Sequence, residues 1–186
     1  MRRFTVPMFL LLAGLSTPLA GQASLLFGYA GTVGGGEWQI EALEFGIAAP
    51  VGLGPVRSVA ASIRTGWFAD QAVLIRGTRG FVGAFALALR SGRLSVTEIG
   101  DELNPTVVSL DVSLEGAGYL AANSPIPEGK RWASLAVLPA LRVGSADGAQ
   151  FAFVLGPAFF AGLSRHTHLF VAARGEFPLA RRRRGP

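Results

Sequence analysis

Residues 106–120 read TVVSLDVSLEGAGYL, and their two-residue rhythm decides the fold. Val108, Leu110, Val112 and Leu114 share one parity, followed by Gly116, Gly118 and Leu120. Ser109, Asp111, Ser113, Glu115 and Tyr119 share the other. Side chains of a strand alternate between its faces, so the segment predicts a strand with one apolar face and one carboxylate-bearing face. A helix would require a 3.6-residue period, which is hard to find anywhere after residue 24.

Working outward, the same split returns in both directions. In 56–68, Val59, Ala61, Ile63 and Trp67 oppose Ser58, Ala60, Ser62, Arg64 and Gly66; in 79–90, Phe81, Phe85, Leu87 and Leu89 oppose Gly80, Ala84, Ala86, Ala88 and Arg90. In 131–144, Leu135, Val137, Leu141 and Val143 oppose Ser134, Ala136, Ala140 and Arg142. In 149–163 and 166–178, Phe151, Phe153, Leu155, Phe159, Leu169, Val171 and Phe177 oppose Ala152, Gly156, Ala158, Ala172, Arg174 and Glu176. One face is bulky and apolar; the other is small, with isolated charges. A soluble sandwich turns its bulky face inward and shows water many charges. A narrow barrel needs small residues inside, and lipid accepts Leu, Val and Phe outside. The pattern therefore predicts an all-β fold, an antiparallel up-and-down transmembrane β-barrel with its bulky faces toward lipid.

The composition agrees. Of 186 residues 50% are hydrophobic and only 16% charged, and mean hydropathy is +0.42. That excludes disorder for most of the chain, and zero cysteines exclude disulfides and thiolate metal sites. The net charge of +5 sits at the two ends. Without Arg2, Arg3 and Arg181–Arg184, the 17 basic residues fall to 11 against 12 acids. The body is thus nearly neutral and lacks the basic face of a nucleic-acid binder.

Residues 1–23 carry Arg2 and Arg3, an apolar run from Phe4 to Leu15, and Gly21-Gln22-Ala23 before a cleavage position. This is the arrangement of a signal peptide. The expected organisation is 1–23 signal peptide, 24–178 barrel and 179–186 basic tail, the Arg181–Arg184 run being solvated or touching anionic headgroups. Counting 24–33, 37–49, 55–68, 79–90, 106–120, 130–144, 149–163 and 166–178 gives eight strands. Ten is the alternative, if 93–99 pairs with 79–90 through Ser91-Gly92. Segment 24–33 is apolar on both faces and reads as a first strand or a lead-in. Segment 37–49 breaks parity; a bulge near Ala42-Leu43 would turn Glu37, Gln39, Glu41 and Glu44 to one face.

With these features the chain resembles the small outer-membrane β-barrels of Gram-negative bacteria, of the OmpA/OmpX type. The resemblance covers residues 24–178 and is one of pattern: signal peptide, alternating strands and the segment His168–Phe177. It implies an outer-membrane location, contact with outer-membrane lipids and lipopolysaccharide, and insertion by the barrel-assembly machinery. Such chains commonly end on an aromatic strand terminus. Phe177 would serve here, although Pro178 to Pro186 follow it.

Parity sends Arg64, Arg90, Asp111, Glu115, Arg142, Arg174 and Glu176 to the inner face, where they are expected to plug the lumen as paired charges. A narrow ion path lined by the same residues is the sharper alternative. Trp38, Trp67, Tyr119 and Trp132 fall near strand ends and suit interfacial girdles. His166 and His168 share a face, but Glu176, of the same parity, stands roughly 26 Å away along a strand. No metal or other cofactor is expected, and loop-end solvation or headgroup contact suits both histidines. Ser164 beside His166 is the one local hint of a lipid hydrolase, and Gly34-Gly35-Gly36 reads as a turn rather than a phosphate loop. The leading expectation is a structural, non-enzymatic barrel. A barrel hydrolase and a soluble secreted barrel holding an apolar ligand are the alternatives.

Overall fold

The computed structural model describes residues 23–33, 39–53, 56–70, 78–91, 95–97, 105–123, 131–145, 148–162 and 166–179. The proposed signal peptide up to residue 22, Trp38, Ser164 and the Arg181–Arg184 run lie outside them. The described elements are all strands: β1 (Ser24–Val33), β2 (Ile40–Leu53), β3 (Val56–Asp70), β4 (Arg79–Arg90), β5 (Ser95–Thr97), β6 (Thr106–Ala121), β7 (Arg131–Ser145), β8 (Gln150–Ala161) and β9 (His166–Pro178).

Each long strand pairs antiparallel with its neighbours in sequence. β4 pairs with β6, and β1 with β9, so eight strands close into an up-and-down barrel. Segment 24–33 is thus the first strand: Ser24 faces Pro178 and Ala48 on either side. The register can be followed around the wall from Ser24 through Ala48, Ser62, Ala86, Glu115, Ala136 and Ala158 to His168. Val33 faces Leu169, so this line rejoins β1 one position past Val33, ten residues above its start. A shear of ten over eight strands tilts them by roughly 40° and leaves an interior only wide enough for side chains. The line is mostly Ala and Ser because larger side chains there would collide across so narrow a bore.

Two expectations change. The described part of segment 93–99, β5, is not paired with β4. β5 pairs with β6 instead, Ser95 facing Val108 just beyond the Arg90–Asp111 pair, so it prolongs the lane of β4 past a two-residue offset. The bulge near Ala42-Leu43 is also absent: β2 runs in continuous register with β3 from Ile40 to Val51, with its irregularity at Val51/Leu53. Ile40, Ala42, Glu44 and Ala48 point inward while Glu41, Leu43, Phe45 and Ile47 point outward. Both parities are apolar here because the inner one enters a hydrophobic part of the lumen.

The β7–β8 ladder is interrupted between Ala136–Ala158 and Ala140–Val154. Pro139 and Pro157 occupy that stretch on the two facing strands and neither has an N–H to donate. Gly156, between them, is needed by a close approach: a Cβ there would lie 2.3 Å from the Val137 carbonyl oxygen.

Side chains sort sharply by face. Every barrel strand exposes large apolar residues on its outer face, among them Phe27, Phe45, Ile63, Phe85, Leu114, Val137, Phe153 and Leu169. Glu41, Arg79 and Arg131 are charged side chains on the outer face, all at the rim that holds the β1–β2, β3–β4 and β6–β7 connections. Glu44, Arg64, Arg90, Asp111, Glu115, Arg142, Arg174 and Glu176 point inward.

Candidate functional site

The lumen is filled in three tiers, each built from alternate positions of several strands. At the end holding the β2–β3 and β7–β8 connections, β4 supplies Arg90, β6 Asp111, β7 Arg142 and β9 Glu176. Arg142 grips Asp111 through Nη2 at 2.6 Å and Nε at 2.8 Å, and also pairs with Glu176. Arg90 Nη2 donates to Glu176 at 2.8 Å. Arg142 reaches Gln150 Oε1 as well, at 3.5 Å.

The middle tier is a closed square. Arg64 of β3 and Arg174 of β9 alternate with Glu44 of β2 and Glu115 of β6. Arg64 reaches Glu44 at 3.2 Å and Glu115 at 2.5 Å. Arg174 reaches Glu44 at 3.2 Å and Glu115 at 3.0 Å. All four side chains are under a tenth exposed. Each tier holds two positive and two negative groups, so neither leaves a net charge in a region where an unpaired one would cost several kcal/mol.

The third tier is aromatic. Tyr119 and Trp132 stack at 5.4 Å with their planes 8° apart, and Phe68 meets both edge-on at 5.5 and 5.0 Å. Phe160 packs against Tyr119 and, edge-on at 5.4 Å, against His168. Edge-to-face and offset contacts are the arrangements ring quadrupoles favour. Phe170 joins this tier to the square, its ring 5.7 Å beneath the Arg174 guanidinium.

Seven charged residues expected on the inner face therefore sit in the lumen, assembled with an eighth, Glu44. The bulge grouped Glu44 with Glu41, whereas the continuous register separates them: Glu44 stands inward, opposite Gly66 on one side and Gly28 on the other, and Glu41 points outward. Tyr119 and Trp132 are a correction: they face the lumen and not an outer girdle. Their position near strand ends suggested the girdle, while Tyr119 shares the parity of Asp111 and Glu115. Trp67 is on the outer face, 54% exposed, beside Phe45 and Phe81. His168 is also corrected. It is buried against Phe160 rather than placed for loop-end solvation or headgroup contact.

Chemically the lumen stores paired charge beside a small cavity. A cavity of about 60 Å³ adjoins the two ionic tiers, lined by Ser62, Arg64, Arg90, Asp111, Arg142 and Glu176 among others. That holds a few waters, and the aromatic tier stands across the bore beyond the square. Serines near it are engaged: Ser62 accepts from Arg64 and Ser113 donates to the Leu138 carbonyl. Among the described residues, no three His, Asp or Glu side chains converge as metal ligands.

No family model, curated protein or solved structure matches the chain.

Proposed function

We propose that this chain is a structural, non-enzymatic integral outer-membrane β-barrel, exported by its N-terminal signal and anchored by its outer wall. The observation that carries the reading is the inversion of faces. Large apolar side chains cover the outside of every barrel strand, while the eight charges of the two ionic tiers lie in the lumen and Glu41, Arg79 and Arg131 at one rim. In water that outer wall would be an aggregation surface far beyond the few hundred Å² a soluble protein tolerates. On β8 the outward series runs from Phe151 to Ala161. Ten steps of about 3.3 Å, tilted roughly 40°, rise roughly 25 Å, the height of the apolar band on a membrane barrel.

The closed sheet suits the same solvent, because it leaves no edge strand for lipid to meet unpaired. The tiers argue for a filled barrel over a conducting pore. They also argue against an apolar ligand inside, for which pockets run to about 300 Å³ or more. Lipids and lipopolysaccharide would then be its surroundings, and the barrel-assembly machinery its partner during insertion.

Membrane fractionation with heat-dependent gel mobility tests this. The expected result is a detergent-extracted band whose mobility shifts on boiling. Folded protein recovered without detergent from the soluble fraction would overturn it. Lipid release by the purified barrel, abolished by Ser164→Ala or His166→Ala, would replace it with a hydrolase.

A further inference from the structure

The register places a polar pair and an aromatic row together on the outer wall. Glu41 and Arg79 both face Ala69, one from each side, along a single cross-strand row. Two strand spacings separate them, about 10 Å between Cα atoms. The methyl group of Ala69 between them leaves a notch. The next row toward the middle of the barrel is Tyr29, Leu43, Trp67 and Phe81. Together these residues line a groove of about 490 Å³ that opens outward. Tyr29, in that row, donates its hydroxyl to Glu41. Trp67 and Phe81 stand 6.2 Å apart, their rings tilted, and beneath Phe81 the outer wall drops to Gly83, around which lies open space.

A negative and a positive group one notch apart, above an apolar wall, match an amphiphile with the same two charges on its head. We propose that this groove binds one phospholipid with a phosphoethanolamine headgroup. The phosphate is held by the Arg79 guanidinium, the ammonium by Glu41, and an acyl chain runs over Trp67 and Phe81 toward Gly83. Arg suits the phosphate because its planar fork matches two oxygens at once. A primary ammonium has N–H donors for the carboxylate, which a choline headgroup lacks; a glycerol headgroup carries no positive charge. The inference rests on the membrane reading above.

The test uses Trp67 as its own reporter. The protein, with Trp38→Phe, is reconstituted in vesicles containing a minor fraction of acyl-brominated phosphatidylethanolamine, phosphatidylcholine or phosphatidylglycerol. Bromine quenches Trp67 on the outer wall, and Trp132 is inside the barrel. The expected result is roughly threefold stronger quenching per lipid by phosphatidylethanolamine, the factor two exposed ion pairs supply. Arg79→Gln and Glu41→Gln should each remove most of that preference, with heat-dependent mobility retained to show that the barrel is folded. Equal quenching by all three lipids overturns the site while leaving the membrane reading intact. Phosphatidylglycerol matching phosphatidylethanolamine, with sensitivity to Arg79→Gln alone, overturns the zwitterionic assignment. No quenching by any brominated lipid overturns the membrane reading and the site with it.

Discussion

Glu115 is the residue whose loss the lumen should tolerate least. Its carboxylate is 3% exposed and bridges Arg64 and Arg174, three of its contacts falling between 2.5 and 3.2 Å. Glu115→Gln keeps the shape but leaves two buried guanidiniums sharing Glu44, one positive charge in excess. Breaking a buried pair in this way costs about 3–5 kcal/mol. The neighbouring cavity of about 60 Å³ admits water to the exposed charge, so the lower end, about 3 kcal/mol, is the expected loss. That is a factor of about 10² in the folding equilibrium. Adding Arg64→Gln restores neutrality, and the double variant should be more stable than Glu115→Gln alone. Urea unfolding in detergent micelles, followed by tryptophan fluorescence, measures all three against the parent. A loss under about 1 kcal/mol for Glu115→Gln, or a double-variant loss equal to the sum of the singles, would refute the closed square.

Three further outcomes follow from the wall and the aromatic tier. Pro139→Ala with Pro157→Ala returns two N–H donors to the β7–β8 gap and should raise stability by about 1 kcal/mol per bond, read from the unfolding midpoint; a lowered midpoint would show that the prolines are needed where they are. Gly66→Ala would set a Cβ 2.0 Å from the Leu43 carbonyl oxygen, whereas Gly83→Ala and Gly116→Ala meet nothing within 4 Å. The first should abolish the heat-shifted folded band and the other two should keep it. Trp132→Ala empties the centre of the aromatic stack and should cost about 3–5 kcal/mol, while raising single-channel conductance in a planar bilayer above that of the parent. Unchanged conductance in a folded variant would show that the ionic tiers alone seal the bore.

The wall was legible in the sequence because a two-residue period maps directly onto faces. Leu110, Val112 and Leu114 against Asp111 and Glu115 specify a strand and its sidedness without any long-range information. The tiers were not legible. Arg174 meets Glu44 across 130 positions, and which inward residues share a level depends on the shear, known only when β1 closes on β9. Segment 37–49 misled for a related reason. Ile40 and Ala42 face inward because the aromatic tier makes that end of the lumen apolar, so hydrophobicity no longer marks the outside. Tyr119 and Trp132 misled because a position near a strand end gives depth but not direction.

β9 carries Arg174 and Glu176 on its inner face, one complete alternation apart, and each completes a different tier. Before β9 docks, the group of Glu44, Arg64 and Glu115 holds an excess negative charge, and the group of Arg90, Asp111 and Arg142 an excess positive one. The smallest slip of β9 that keeps its side chains on their proper faces is two residues. Slipped one way, Glu176 joins Glu44 and Glu115 with only Arg64 to answer three carboxylates. Slipped the other way, Arg174 joins Arg90 and Arg142 around Asp111. Neither error leaves both groups neutral. β9, which closes the barrel against β1, therefore acts as a two-toothed key whose charge pattern checks the closing register.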